Sequence, residues 1–182
     1  MSKAVMISIH PKWFAKICRG EKAVEIRKTR PKLETPFKCY IYCTRDKHLA
    51  FMQNASGTNL IACMNAETAI PVGGFLGNGK VIGEFTCDDI YEIDPTKTIG
   101  AGFAEDSCVS SRDIHEYLGE KTGYGWHISN LKIYDTPKDL SKFSRPFENC
   151  IGKVCDEFGC ASCENGGHIK RPPQSWCYVE EM

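Results

Sequence analysis

The chain has 182 residues, 42% apolar and 25% charged, which suits one buried core with an insertion, excludes two full domains and argues against a disordered tail. No window approaches 18 consecutive apolar residues, so a helical membrane span is excluded and no membrane partner is expected. The net charge is zero, yet residues 1–50 hold 12 Lys/Arg against 4 Asp/Glu and residues 51–182 hold 11 against 19. That asymmetry fits either an anionic partner for the basic part or neutralisation of one half by the other across the fold.

Lys3 to Ile9 reads as a mostly buried first strand. Pro11 opens a short helix whose apolar face is Trp13, Phe14 and Ile17, and Gly20 stops it. Lys22 to Lys28 returns as a strand, with Lys22, Val24 and Ile26 on one face and Ala23, Glu25 and Arg27 on the other. Phe37 to Thr44 alternates Cys39, Ile41 and Cys43 with Tyr40 and Tyr42, the clearest strand of the chain. Asp46 to Asn54 reads as a brief helix, and Ala55 to Gly79 as a long irregular connection. Lys80 to Tyr91 reads as a strand with Val81, Phe85 and Cys87 on one face and Glu84 on the other. Ser110 and Asp113 form a capping box at the start of a short helix. Tyr124 to Ile128, Leu131 to Tyr134 and Ser175 to Val179 complete the strands. Many strands joined by short helices predict a mainly β, barrel-like α+β fold.

Eleven cysteines, an odd number set mostly in apolar alternation, argue against a secreted disulfide framework. The N-terminus has no basic region followed by an apolar run, so a cytoplasmic location is expected. Four of the thiols cluster as Cys150-x4-Cys155-x4-Cys160-x2-Cys163, with glycines between them. Tetrahedral zinc accepts four thiolates on short links, so structural zinc is the expected cofactor, with His168 a substitute ligand. Two disulfides, disfavoured in a reducing compartment, and metal-free thiols on a flexible loop are the alternatives.

The stretch Gly20-Glu21-Lys22-Ala23-Val24-Glu25-Ile26-Arg27-Lys28, set after a strand and a helix, resembles the G-x-K-x-x-E-x-R signature of ASCH domains. Lys38 to Thr44, Gly79 to Phe85 and Trp126 to Ile128 agree with it. The resemblance implies a PUA-like barrel of five or six strands, here over residues 1–146 and 174–182, with residues 147–173 as a Cys-rich insertion. It also implies a cleft beside the signature strand and an association with RNA. One branch of the family hydrolyses acetylcytidine with a Lys, a Thr three residues on and a Glu from a later strand. Those positions fall on Lys22 and Glu84, but Glu25 stands where the Thr would be.

Two uses of these residues follow. Lys22, Glu25, Arg27 and Glu84 can line a cleft that recognises RNA or a modified nucleoside. Lys28 and Arg30 would then extend the basic strip, and Tyr40, Tyr42, Trp126 and Trp13 offer stacking faces for bases. Alternatively, Lys22 with Glu25 and Glu84 is the catalytic set of an amidohydrolase or ribonuclease, which requires burial to outweigh the carboxylates that favour an ammonium. A protein-interaction module built on the Cys-rich loop is a third reading.

Overall fold

An unbroken apolar run can be buried on both faces of a sheet. The computed structural model describes residues 4–54, 62–65, 72–146 and 169–181, and β1 (Ala4–Ile9) is buried along its whole length. It lies inside a curled six-stranded sheet. On one side β1 pairs parallel with β3 (Phe37–Cys43), followed outward by β7 (Val81–Cys87) and β10 (Ser129–Lys138). On the other it pairs antiparallel with β12 (Trp176–Glu181), followed by β11 (Phe143–Ser144). A parallel neighbour requires a crossover. Here that crossover contains α1 (Pro11–Cys18) and β2 (Val24–Arg27).

β2 leaves the large sheet and pairs with β9 (Gly123–His127), which also pairs with β8 (Ile90–Ile93). β9 runs almost directly into β10, so one stretch of chain serves two sheets and curls the structure into a half-barrel. Asn130, with φ 48°, takes up part of the turn. Two helices, α2 (Ala101–Ser107) and α3 (Ser111–Leu118), fill the connection between β8 and β9. The expected capping box is present: Ser110 Oγ accepts from the Asp113 amide at 3.1 Å.

The alternation read in β3 sorts the core. Cys39, Ile41 and Cys43 join Val5, Ile7, Ile9, Phe85 and Trp126 on the inner face. Tyr40 and Tyr42 join Met6, Tyr134, Phe143 and Ile169 on the other. Val81 departs from expectation, since it sits with Tyr42 while Phe85 and Cys87 face inward. A bulge is the reason: Ile41 pairs with Gly83 but Tyr42 with Val81, so Ile82 is extra and the faces exchange there.

The segment expected as a helix over Asp46 to Asn54 is a strand, β4 (Leu49–Asn54), and the expected irregular stretch contains β5 (Ala62–Asn65) and β6 (Gly74–Leu76) paired on either side of it. Two side chains override the local pattern. Asp46 Oδ1 accepts from the amides of His48 and Leu49, an Asx-type turn from which the chain enters β4. Asn78 then accepts from the Phe51 amide and donates to the Leu49 carbonyl, standing in for a strand partner. Phe51 packs edge-on against Phe14 of α1, 4.7 Å between centroids.

Gly83 marks a close approach between β7 and β10. A β-carbon there would sit 2.6 Å from the Lys132 carbonyl oxygen and 3.4 Å from the Ile133 α-carbon, both backbone atoms. Gly83→Ala must therefore separate β7 from β10, and a loss of about 1–3 kcal/mol is expected. Chemical denaturation measures it; an unchanged midpoint would refute this account of the sheet.

Candidate functional site

The signature strand brings its charged residues together below a surface cleft. Gly20, at φ 72°, ends α1 and turns the chain back. The Ala23 amide then donates to the Asp106 carbonyl at 2.7 Å, which seats the start of β2 against the end of α2. The Lys22 side chain is consequently only 2% exposed. Its ammonium donates to the carbonyls of Ser107 at 2.6 Å and Val24 at 2.8 Å. Glu25 Oε2 lies 3.3 Å away, and the Trp13 ring centre 5.3 Å. All three donors of the amine thus have an acceptor.

Glu25 uses its second oxygen on the next cation, with Oε1 2.9 Å from Arg27 Nη2. The same Nη2 donates to the Ser8 carbonyl at 2.6 Å, tying β2 to β1. Glu25 and Arg27 are 9% and 11% exposed, so the three residues form a mostly buried ion triad. Arg27 Nε and Trp126 Nε1 are buried without an acceptor among the described residues.

Above this floor opens a cleft of about 480 Å³, within the range of small-molecule sites. Trp13 of α1 and His10 at its N-cap form one wall, Tyr117 and Asp113 from α3 another, and Thr44 and Gln174 also line it. The two aromatic walls stand over a charged base. Lys28, just past β2, rests its ammonium 4.8 Å from the Tyr117 ring centre.

The other candidates lie elsewhere. Glu84 does not join the cleft, because it stands opposite Tyr40 on the other face of the large sheet. There it accepts from Tyr134 Oη at 2.6 Å and pairs with Lys38 at 3.4 Å. Tyr40 and Tyr42 share that face; both are buried, and Tyr40 packs on Phe143. Trp126 is fully buried, with Phe37 and Trp176 against it at 5.9 and 5.8 Å, so no base can stack on it. Arg30 is exposed, outside the cleft lining, and donates to the Pro31 carbonyl at 3.4 Å. His127 pairs with Asp88 away from the cleft. Cys150, Cys155, Cys160, Cys163 and His168 fall outside the described residues; among the described ones no cluster of three or more candidate metal ligands occurs.

Sequence reasoning missed Tyr117, Asp113, Thr44 and Gln174. A signal existed for the first two. The capping box fixes the start of α3, and Asp113 and Tyr117 then fall four residues apart on one face of it. A large aromatic left 44% exposed there is a surface feature that calls for a partner.

His10 holds the α1 wall in place. Its Nδ1 accepts from the Lys12 amide at 3.3 Å, which leaves Nε2 to donate to Asp46 Oδ2 at 2.7 Å. The amide of His48, the His10 ring and the amide of Leu49 together hold the Asp46 carboxyl down at about 2.

The ASCH domain model matches residues 7–136. The fold is similar to that of an ASCH protein from Zymomonas mobilis, at TM-score 0.57 and 17% identity over 97% of this chain and 87% of that one. A point mutant of the same protein gives TM-score 0.58 and 18% identity, over 98% and 91%. No curated protein matches the chain.

The Asp46 interactions carry a pH dependence of definite sign. A carboxyl lowered on folding stabilises fully above its ordinary value, about 4, and loses that contribution as pH falls through about 2. Denaturation midpoints should therefore drop between pH 5 and pH 2, and drop less in Asp46→Asn. An equal drop in both proteins would remove Asp46 from the account.

Proposed function

Because the chain belongs to the ASCH domain family, whose model spans most of it, we propose that the cleft recognises an unpaired nucleobase, in RNA or in a modified nucleoside. One observation carries the reading: Trp13 and Tyr117 open onto the same cleft as Lys22, Glu25 and Arg27. Unpaired bases are bound by stacking on aromatic rings while their edges meet polar groups. The floor supplies both signs, with Glu25 an acceptor for an amino group and Arg27 a donor to a carbonyl or ring nitrogen. The triad carries two positive charges against one negative, so an electron-rich edge is favoured.

Binding fits Lys22 better than nucleophilic catalysis does. Attack needs a lone pair on the amine, and the three acceptors around Nζ suit an ammonium. Lys22 therefore orders Glu25 and the α2 end of the cleft.

A short single-stranded RNA should quench the fluorescence of Trp13 on binding. Trp13→Ala should weaken binding by about 1–3 kcal/mol, and Arg27→Ala should weaken it while disturbing Glu25. Because Arg27→Ala breaks a buried pair and can cost about 3–5 kcal/mol of stability, Tyr117→Ala, at an exposed position, is the cleaner second variant. If neither Trp13→Ala nor Tyr117→Ala changes the affinity for RNA or nucleoside, the cleft is not the site.

One observation favours the hydrolytic reading. Thr44 lines the cleft with Lys22 and Glu25, so a Lys, a Thr and a Glu meet there, with the Thr drawn from the end of β3. An amidohydrolase should turn over acetylcytidine and lose that turnover in Thr44→Val with the fold intact. Absence of turnover in the unsubstituted protein rejects this activity.

A further inference from the structure

Each aromatic wall of the cleft carries an ammonium. Lys12 Nζ lies 4.9 Å from the Trp13 ring centre, and Lys28 Nζ 4.8 Å from that of Tyr117. Among the described residues neither lysine has a carboxylate within ion-pair distance, whereas Lys16, Lys38 and Lys97 are paired with Glu21, Glu84 and Asp94. A cation over an exposed ring is held by only about 0.5–1 kcal/mol. Exchange for an anionic oxygen, a stronger charge-assisted bond, is therefore favourable.

Inside the cleft the charges balance, Lys22 and Arg27 against Glu25 and Asp113. Glu25 sits in the floor and Asp113 in the α3 wall, where Asp113 Oδ2 accepts from Ser110 Oγ at 2.7 Å. With its two cations already committed to Glu25 and to backbone carbonyls, this balanced interior gives an anion no net attraction at depth, while its polar edges suit the amino, carbonyl or hydroxyl groups of a neutral ring or sugar. The cleft thus selects a ligand that is neutral where it enters and anionic where it emerges. A phosphodiester-linked nucleotide has that charge distribution.

Resting on the reading of the cleft as a nucleobase site, we propose that its ligand is one nucleotide of a single-stranded RNA. The base occupies the cleft, and the phosphates on either side of it lie on Lys12 and Lys28. Lys12 and Lys28 are then specificity residues for strand over free nucleoside.

The probes are a labelled five-nucleotide RNA of mixed sequence and the four common nucleosides, titrated at several salt concentrations. Two phosphate contacts on a single strand contribute about −1.4 to the slope of log K against log salt, about −0.7 each. The RNA should therefore bind about sevenfold more weakly at 200 mM than at 50 mM salt from these contacts alone, while nucleoside affinity stays level. Lys12→Ala and Lys28→Ala, both at exposed positions, should each flatten the RNA slope by about 0.7, while the salt slope of nucleoside binding stays near zero in both. Variants that leave the slope unaltered, or nucleosides that bind as tightly as the RNA, overturn the proposal while leaving the base site standing. If Trp13→Ala alters binding of neither probe, the base site itself fails and the proposal with it.

Discussion

The site depends on one carboxylate shared between two cations. Glu25 turns one oxygen to Lys22 and the other to Arg27, at 3.3 and 2.9 Å, and each cation is fastened to backbone elsewhere. Lys22 reaches the end of α2 through Ser107, and Arg27 reaches β1 through Ser8. Three parts of the chain therefore converge on Glu25. Burial makes this strict, because an isolated charge in such a place costs several kcal/mol and a paired, hydrogen-bonded one does not. The chemistry available to a ligand and the integrity of the fold are held by the same three side chains.

The walls are built on rigid elements. α1 presses Phe14 and Ile17 into the core and turns Trp13 toward the cleft, so core packing fixes the stacking surface. Its start is set twice, by Pro11 in the first turn and by His10, whose ring both caps the helix and ties it to Asp46. α3 contributes the opposite aromatic on a helix seated by Ile114 and Leu118, which are buried with Ile26 of β2. A floor and walls that share core contacts are preorganised to receive a ligand without rearrangement.

Much of this was legible in the sequence, where local chemistry and global position agree. Pro11 and Gly20 bracket α1, the Cys/Tyr alternation defines β3, and Ser110 with Asp113 places α3. The strand reading puts Lys22 on the face opposite Glu25 and Arg27, yet the three converge because β2 begins only at Val24 and Lys22 lies in the connection before it. What escaped was set by distant partners. β4 reads as a helix until Asn78, 27 residues from Phe51, supplies the missing ladder bonds. α2 has no capping side chain, since Gly100 stands at its N-cap, and Gly102 weakens its first turn. Glu84 was misplaced because a strand pattern reveals that two faces exist, but not which of them meets the cleft.

The slot filled by β12 has a bearing on how the cleft comes into being. That strand lies between β1 and β11, and the segment leading into it brings the Pro173 carbonyl to Ser8 Oγ at 2.6 Å and Gln174 to the cleft lining. Residues more than 160 positions apart thus meet beside the triad. During vectorial synthesis on the ribosome, β1, α1 and β2 emerge well before this segment, so the cleft lacks a side until residues 173–181 have followed. Until then the edge of β1 that β12 covers stands open, and the cavity is incomplete.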